Sequence, residues 1–435
     1  MQSLVNSSIT PLLNTPGPFN EFPGEFSPLE AVKALKETRV LMIGAGGLGC
    51  EILKNLVFTG FRKIDIIDMD TIDVSNLNRQ FLFRESDIGK SKAEAAAAFL
   101  RRRIKDESLE ITSHFCAIQE KDQSFYRQFS VVICGLDNVE ARRWINALLV
   151  GMVDSALNNL IPMVDGGTEG FRGQSRVIIP TVTSCFECSL DMLSPKLTYP
   201  VCTIANTPRL PEHCIEWASQ LEWPRRFGDR KFDADIPEDV DLMHSIALAR
   251  AKEFGIANVT RSLTLGVVKN IIPAIASTNA IIAASCCNEV FKLVTSCNPV
   301  LDNYMMYSGD ESIFTYTYAH AKKANCPVCG TEVRAISALR WWTLRNLIDV
   351  LKTKQEFLLK LPSVAKADIP LYIALPEHLR LLTENNLNMK LIDLVSPGEE
   401  VVVTDANLPI SMRLLVSKYD GPDVEPQDIS SLLKS

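Results

Sequence analysis

Residues 39–49, RVLMIGAGGLG, run from a short apolar segment into four glycines and then into helix-forming residues, and KIDIIDMD at 63–70 supplies a second apolar segment ending in two aspartates. Strand, glycine turn, helix and strand in that order open a βαβ unit, whose strands lie parallel in one sheet. SVVICGLDN and PMVDGGT repeat the strand-then-turn theme with helical material between them. The expected fold is therefore α/β, a doubly wound and mainly parallel Rossmann-like sheet.

The glycine loop is Gly44-Ala45-Gly46-Gly47-Leu48-Gly49. Glycines let the backbone approach a phosphate, and the following helix N-terminus offers free N–H groups and a favourable dipole. Alone, the loop means a nucleotide, most often a dinucleotide, and a tight turn without any ligand is the alternative. Asp68, at the end of the second strand, stands where a ribose-binding acid belongs in nicotinamide and ATP sites alike. Two clusters just beyond it separate those two: Asn76-Leu77-Asn78-Arg79-Gln80 and Gly89-Lys90-Ser91-Lys92. Hydride transfer needs no such cations behind the ribose acid, whereas charge on transferring phosphates does.

The chain has 435 residues, enough for two or three domains, and a net charge of −7 that argues against a nucleic-acid binder. The most apolar stretch, Leu263 to Ser285, is broken by Lys269, Asn270, Pro273 and Asn279, so a buried helical region is expected there and not a membrane span. Twelve cysteines without a signal-peptide pattern fit a reducing cytoplasmic or nuclear compartment. The domain expectation is an extended N-terminal arm over 1–35 and the first part of the α/β sheet domain over 36–201. A helical region comes next over 202–285, then a return to the sheet over 286–334 and a small α+β domain over 335–435.

Two C-x-x-C pairs, Cys185/Cys188 and Cys326/Cys329, each present two sulfurs to one metal, and four thiolates complete a tetrahedral structural zinc site. A redox C-x-x-C is the competing reading, and two pairs flanking an insertion favour zinc. Cys202, in PVCTIANTPRLPEHC, has no cysteine partner within four residues. A buried free thiol is its plain reading; a thiol exposed between Pro200 and Pro208, in an extended or turning segment, is the reactive one. Cys214 is the runner-up for the nucleophile. The five histidines, His114, His213, His244, His320 and His378, show no paired spacing suited to catalysis or metal binding.

The segment D-x-D-x-x-x-x-x-N-L-x-R-Q, spanning Asp68 to Gln80, resembles the adenylation domain of ubiquitin-like modifier-activating enzymes and their bacterial sulfur-carrier relatives. The resemblance implies roles one residue at a time. Asp68 is the ribose ligand with Asp70 beside it, Asn76, Arg79, Gln80 and Lys92 face the phosphates, and Asp137 in GLDN binds magnesium. A helix cap is the competing role for Asp137. The nucleophile of adenylation, a modifier's C-terminal carboxylate, is already ionised, so the enzyme aligns two anions with magnesium, Arg79, Lys92 and backbone N–H groups and needs no general base. Cys202 then takes the modifier from AMP as a thioester.

Length and domain order resemble the neddylation branch of the family, with the longer sumoylation type as the alternative. The partners so implied are a ubiquitin-like modifier, a conjugating enzyme recruited by a C-terminal ubiquitin-fold domain, and a catalytically degenerate adenylation-like subunit whose arginine reaches the phosphates. Arg176 in GFRGQSRVI is similar to the residue that meets the modifier's tail. Ubiquitin carries an arginine in that tail where the neddylation modifier is small and neutral, so a fixed positive charge repels ubiquitin. A surface arginine on an edge strand is the plain alternative.

Overall fold

The computed structural model describes residues 9, 11–14, 27–154, 156–192, 201–228, 230, 232, 236–268, 274–298, 300–330, 333–354, 357, 359–367, 369–409 and 411–423. The extended arm expected over 1–35 falls partly outside them. Within it the structure corrects the expectation: residues 11–14 are helical with Leu13 in the main core, and Pro28–Glu37 forms helix α1. Pro28 sits at the first helical position, where a missing N–H costs nothing, and the Ser27 side chain caps the helix by accepting from the Glu30 N–H.

The main sheet has eight strands in the order β3-β2-β1-β4-β5-β6-β7-β8. Its first half comprises β1 (Arg39–Ile43), β2 (Lys63–Ile67), β3 (Glu110–His114), β4 (Val131–Cys134) and β5 (Met163–Glu169), all parallel. Helices α2 (Gly47–Thr59), α3 (Lys92–Arg103) and α4 (Val139–Gly151) lie between these strands in sequence. The chain turns at Gly170 and Phe171 into β6 (Arg172–Ile178), and β7 (Tyr304–Ser308) and β8 (Phe314–Tyr318) continue the sheet antiparallel. Because β2 and β4 flank β1, the winding direction reverses beside it, and the loops after β1, β2 and β4 open onto one crevice.

Residues 194–274 form a separate compact unit. It contains α5 (Val201–Asn206), α6 (Pro211–Trp217), α7 (Pro237–Glu253) and α8 (Arg261–Val268), around a core that includes Cys214, Ile215, Trp223, Met243 and Ile246. The helical region expected to run to 285 therefore stops earlier. The next helix, α9 (Ala276–Thr295), buries Ile282, Ala283, Cys286 and Val290 in the core of the main sheet. Helicity continues across residue 285; only packing tells which core a helix serves.

The C-terminal α+β domain has a five-stranded sheet, β11-β10-β12-β13-β9, built from β9 (Arg334–Leu339), β10 (Pro362–Lys366), β11 (Ile369–Tyr372), β12 (Glu399–Asp405) and β13 (Ser411–Asp420). Helix α10 (Leu344–Thr353) covers it with Leu344, Leu347, Ile348 and Leu351, the i, i+3, i+4, i+7 face of an amphipathic helix. Trp144 and Val328 pack against this core and against the core beneath α4. Among the described residues no helix is long and apolar enough to cross a membrane.

Candidate adenylation centre and cysteine cluster

The glycines of the loop after β1 divide into distinct jobs. Gly44 has φ +91°, and a Cβ there would lie 2.7 Å from the Gly135 carbonyl oxygen, so the loops after β1 and β4 touch. A Cβ on Gly49 would lie 2.1 Å from the Gly44 oxygen, which makes this glycine a condition for closing the turn. Gly46 faces open space, its nearest neighbour being Gln80 Nε2 at 4.0 Å. It caps α2 with no side-chain hydrogen bond, leaving the first N–H groups of the helix for an anion.

Asp68 closes the loop from below. Its Oδ2 accepts the Ala45 N–H at 2.6 Å and its Oδ1 accepts the Asp70 N–H at 2.8 Å. Burial pushes this carboxyl up from the ordinary aspartate value, against the pull of those two N–H donors and Lys92. Asp70 is exposed and holds the buried Lys92, Nζ to Oδ2 at 2.7 Å. Ser91 caps α3 and so presents Lys92 on its first turn. Arg79 lies against the loop, its Cγ 3.4 Å from a Cβ placed on Gly47, and its guanidinium donates to the Ser75 carbonyl and to Asn78 Oδ1, both at 3.0 Å. Gln80 is buried with its Oε1 lacking a hydrogen-bond partner among the described residues.

The expected phosphate-side Asn76 and the expected magnesium ligand Asp137 stand differently. Asn76 accepts the Asp73 N–H through Oδ1 at 3.0 Å, a local capping contact on a short helical turn. Asp137 follows β4 with an exposed carboxylate, and the capping role weighed for it belongs to Asn138, which accepts the Ala141 N–H at 2.7 Å. The structure thus gathers Gly44 to Gly49, Asp68, Asp70, Arg79, Gln80 and Lys92 around one crevice. Asp137 stands on the adjoining loop.

Arg176 is no surface residue. Strand β6 is interior, Arg176 is 3% exposed, and it stands directly across from Asp165, which is 0% exposed. Its Nε lies 3.2 Å from Asp165 Oδ2, its guanidinium sits over the rings of Phe186 at 4.7 Å and Tyr304 at 5.1 Å, and Nη1 donates to Ser189 Oγ. Arg142 holds the other oxygen of Asp165 at 3.0 Å and donates through Nη2 to the carbonyls of Leu136 and Gly166. Two guanidinium groups against one carboxylate leave the cluster net positive, with its arginines fixed in place. Sequence reasoning missed Asp165, Arg142 and Asn279; an aspartate between a strand's apolar run and GGT was the available signal for the first.

Cys185, Cys188, Cys326 and Cys329 converge, all buried, with their sulfurs within 4.8 Å of one another. Cys185 and Cys326 are 3.6 Å apart, Cys188 and Cys329 3.4 Å, and Cys185 and Cys188 3.9 Å. Four sulfurs at about 2.3 Å from one zinc stand about 3.8 Å apart, so the spacing fits a tetrahedral ion. Between the first two, Glu187 pairs with Arg143 at the base of α4, and Arg143 also donates to the Phe357 carbonyl of the C-terminal domain at 2.7 Å.

Cys202 lies in the first turn of helix α5, which replaces the extended or turning segment expected there; its side chain is outside the described residues. Cys214 sits in the core of its unit, and burial pushes its thiol up, the opposite of an activated nucleophile. His213 accepts the Arg209 N–H through Nδ1 at 3.2 Å, a structural contact.

With this geometry the comparisons agree. Residues 23–328 match the ThiF family and residues 337–416 match the E2 binding domain, which sets the class: a ThiF-type sheet carrying an E2-binding module. The NEDD8-activating enzyme E1 catalytic subunit of Schizosaccharomyces pombe is 48% identical over 92% of this chain and 94% of its own. Those of Dictyostelium discoideum and Drosophila melanogaster are 52% identical over 86% and 88%, and 44% identical over 98% and 97%. This chain belongs to the family of NEDD8-activating enzyme E1 catalytic subunits. Among solved structures, Escherichia coli MccB is 20% identical over 70% of each chain with a TM-score of 0.45, too loose a likeness for any argument.

Proposed function

We propose that this chain activates a ubiquitin-like modifier of the NEDD8 type with ATP and hands it to a conjugating enzyme. The observation that carries the reading is the buried Lys92 ammonium, held by Asp70 beside Asp68, the acid that closes the glycine loop, in a chain related to activating-enzyme subunits over nearly its whole length. In the first step an oxygen of the modifier's C-terminal carboxylate bonds to the α-phosphorus of ATP. The bond from that phosphorus to the bridging oxygen breaks, and pyrophosphate leaves. Lys92, Arg79 and the free N–H groups of α2 offset the repulsion between the two anions, while Asp68 serves the ribose and fixes the loop.

In the second step the Cys202 thiolate attacks the carbonyl carbon of the acyl adenylate, the carbon–oxygen bond breaks, and AMP leaves with the electron pair. A first-turn position favours an anion, which suits a thiolate. The thiolate of a conjugating enzyme then displaces Cys202 from the thioester, recruited by the C-terminal domain. Asp137 would hold magnesium, which supplies charge neutralisation on the phosphates, and the four clustered cysteines would hold a structural zinc. A second, adenylation-like subunit completes the enzyme. The net positive Arg142–Asp165–Arg176 cluster supports selection against a modifier whose tail carries an arginine.

The test is a non-reducing gel after incubation with ATP, magnesium, the partner subunit and a panel of modifiers. A thiol-sensitive adduct with the NEDD8-type modifier is expected. Cys202→Ala abolishes it while pyrophosphate exchange into ATP persists. An adduct that survives Cys202→Ala moves the nucleophile elsewhere.

A further inference from the structure

One polar group beside the glycine loop has no role in adenylation or thioester formation as derived from the other residues. Asn279 lies in the first turn of α9, its N–H bonded to the Ile275 carbonyl at 3.0 Å, and it is 2% exposed. The Thr168 hydroxyl, near the end of β5, donates to Asn279 Oδ1 at 2.7 Å. That bond anchors the amide by its oxygen and turns Nδ2 toward Gly47, where a Cβ would lie 2.6 Å from it. Nδ2 has no acceptor among the described residues. Arg79 reaches the same point, with Cγ at 3.4 Å and Cδ at 3.5 Å from that Cβ position. The amide donor of a buried side chain, an arginine and the start of a helix thus meet at Gly47, and each favours an anionic oxygen.

We propose that Asn279 contacts the reactants of adenylation, donating Nδ2–H to an anionic oxygen held at the N-terminus of α2. The inference rests on the proposed adenylation activity. The oxygen belongs to the ATP α-phosphate or to the modifier's carboxylate; both present the same acceptor, and kinetics tell them apart. Folding places Asn279 on this spot from a helix more than two hundred residues away from the loop, which is why no spacing in the sequence announces it.

The experiment compares Asn279→Ala and Asn279→Asp in the full chain with its partner subunit, reading modifier-dependent pyrophosphate exchange. Aspartate keeps the shape and the bond from Thr168 but replaces the donor with a negative acceptor; alanine removes both. If Nδ2 meets an anion, kcat/KM falls roughly tenfold to a hundredfold in the alanine variant and further in the aspartate variant. A rise confined to KM for ATP assigns the phosphate, and a rise confined to KM for the modifier assigns its carboxylate. A purely structural amide gives the reverse order, with alanine worse than aspartate, and that order overturns the proposal. So does activity within twofold of the parent in both. Thr168→Val, which unanchors the amide without adding charge, serves if the aspartate variant fails to fold: a several-fold loss is expected, and an unchanged rate overturns the proposal. Absence of exchange in the parent itself would strike at the adenylation activity and not at the placement of Asn279.

Discussion

Replacing Arg143 with methionine tests how the cysteine cluster, α4 and the C-terminal domain are tied together. The Arg143 and Glu187 side chains are 4% and 1% exposed. Arg143 Nε lies 2.9 Å and 3.1 Å from the two oxygens of Glu187, while its Nη2 reaches the same carboxylate and donates to the Phe357 carbonyl at 2.7 Å. Methionine fills much of the volume but leaves the buried Glu187 carboxylate without its hydrogen-bonded cation, with only the weaker pull of Arg334 remaining. Orphaning one partner of a buried pair costs about 3–5 kcal/mol, and the Phe357 carbonyl loses a donor worth about 1 kcal/mol more. That is a large share of a typical domain's stability. The loss is expected in urea unfolding followed by tryptophan fluorescence, since Trp144 on the next position of α4 packs against both neighbouring cores. Arg143→Met with Glu187→Leu removes both charges, and because a buried pair adds little over an apolar substitute, the double variant should return to within about 1–2 kcal/mol of the parent. A single variant within about 0.5 kcal/mol of the parent, or a double variant no better than the single, would refute the reasoning.

Gly49→Ala puts a Cβ 2.1 Å from the Gly44 oxygen and should abolish folding or nucleotide use altogether, whereas Gly46→Ala, whose nearest neighbour is 4.0 Å away, should fold normally and weaken only nucleotide binding; circular dichroism and ATP titration separate the two. Cys326→Ser should lower zinc content below about one per chain and reduce the unfolding midpoint, and a variant that keeps both parental values would count against a shared site. Arg176→Gln leaves Arg142 to pair with Asp165, so the fold should survive while ubiquitin is adenylated faster and the proper modifier is used nearly as before; unchanged exclusion of ubiquitin, read by pyrophosphate exchange, places selectivity elsewhere.

The sequence by itself determined whatever depends on neighbours along the chain. Hydrophobic runs and a glycine loop are local, so β1, α2, β2 and the acid after it were legible, as was the α+β character of the C-terminal domain. Metal-ligand spacing is half local: each C-x-x-C pair was visible, and the tertiary structure alone brought Cys185 to 3.6 Å from Cys326. Tertiary structure also decided burial and partnership. It turned Arg176 from a candidate surface charge into one of two arginines on Asp165, gave the cap of α4 to Asn138, and enclosed Cys214 in a core. It assigned α9 to the main sheet and so delivered Asn279 to the glycine loop. The reason is physical: a helix or strand follows from propensities summed over nearby residues, whereas the partner of a buried charge or amide is set by which distant segment the packing of the core places beside it.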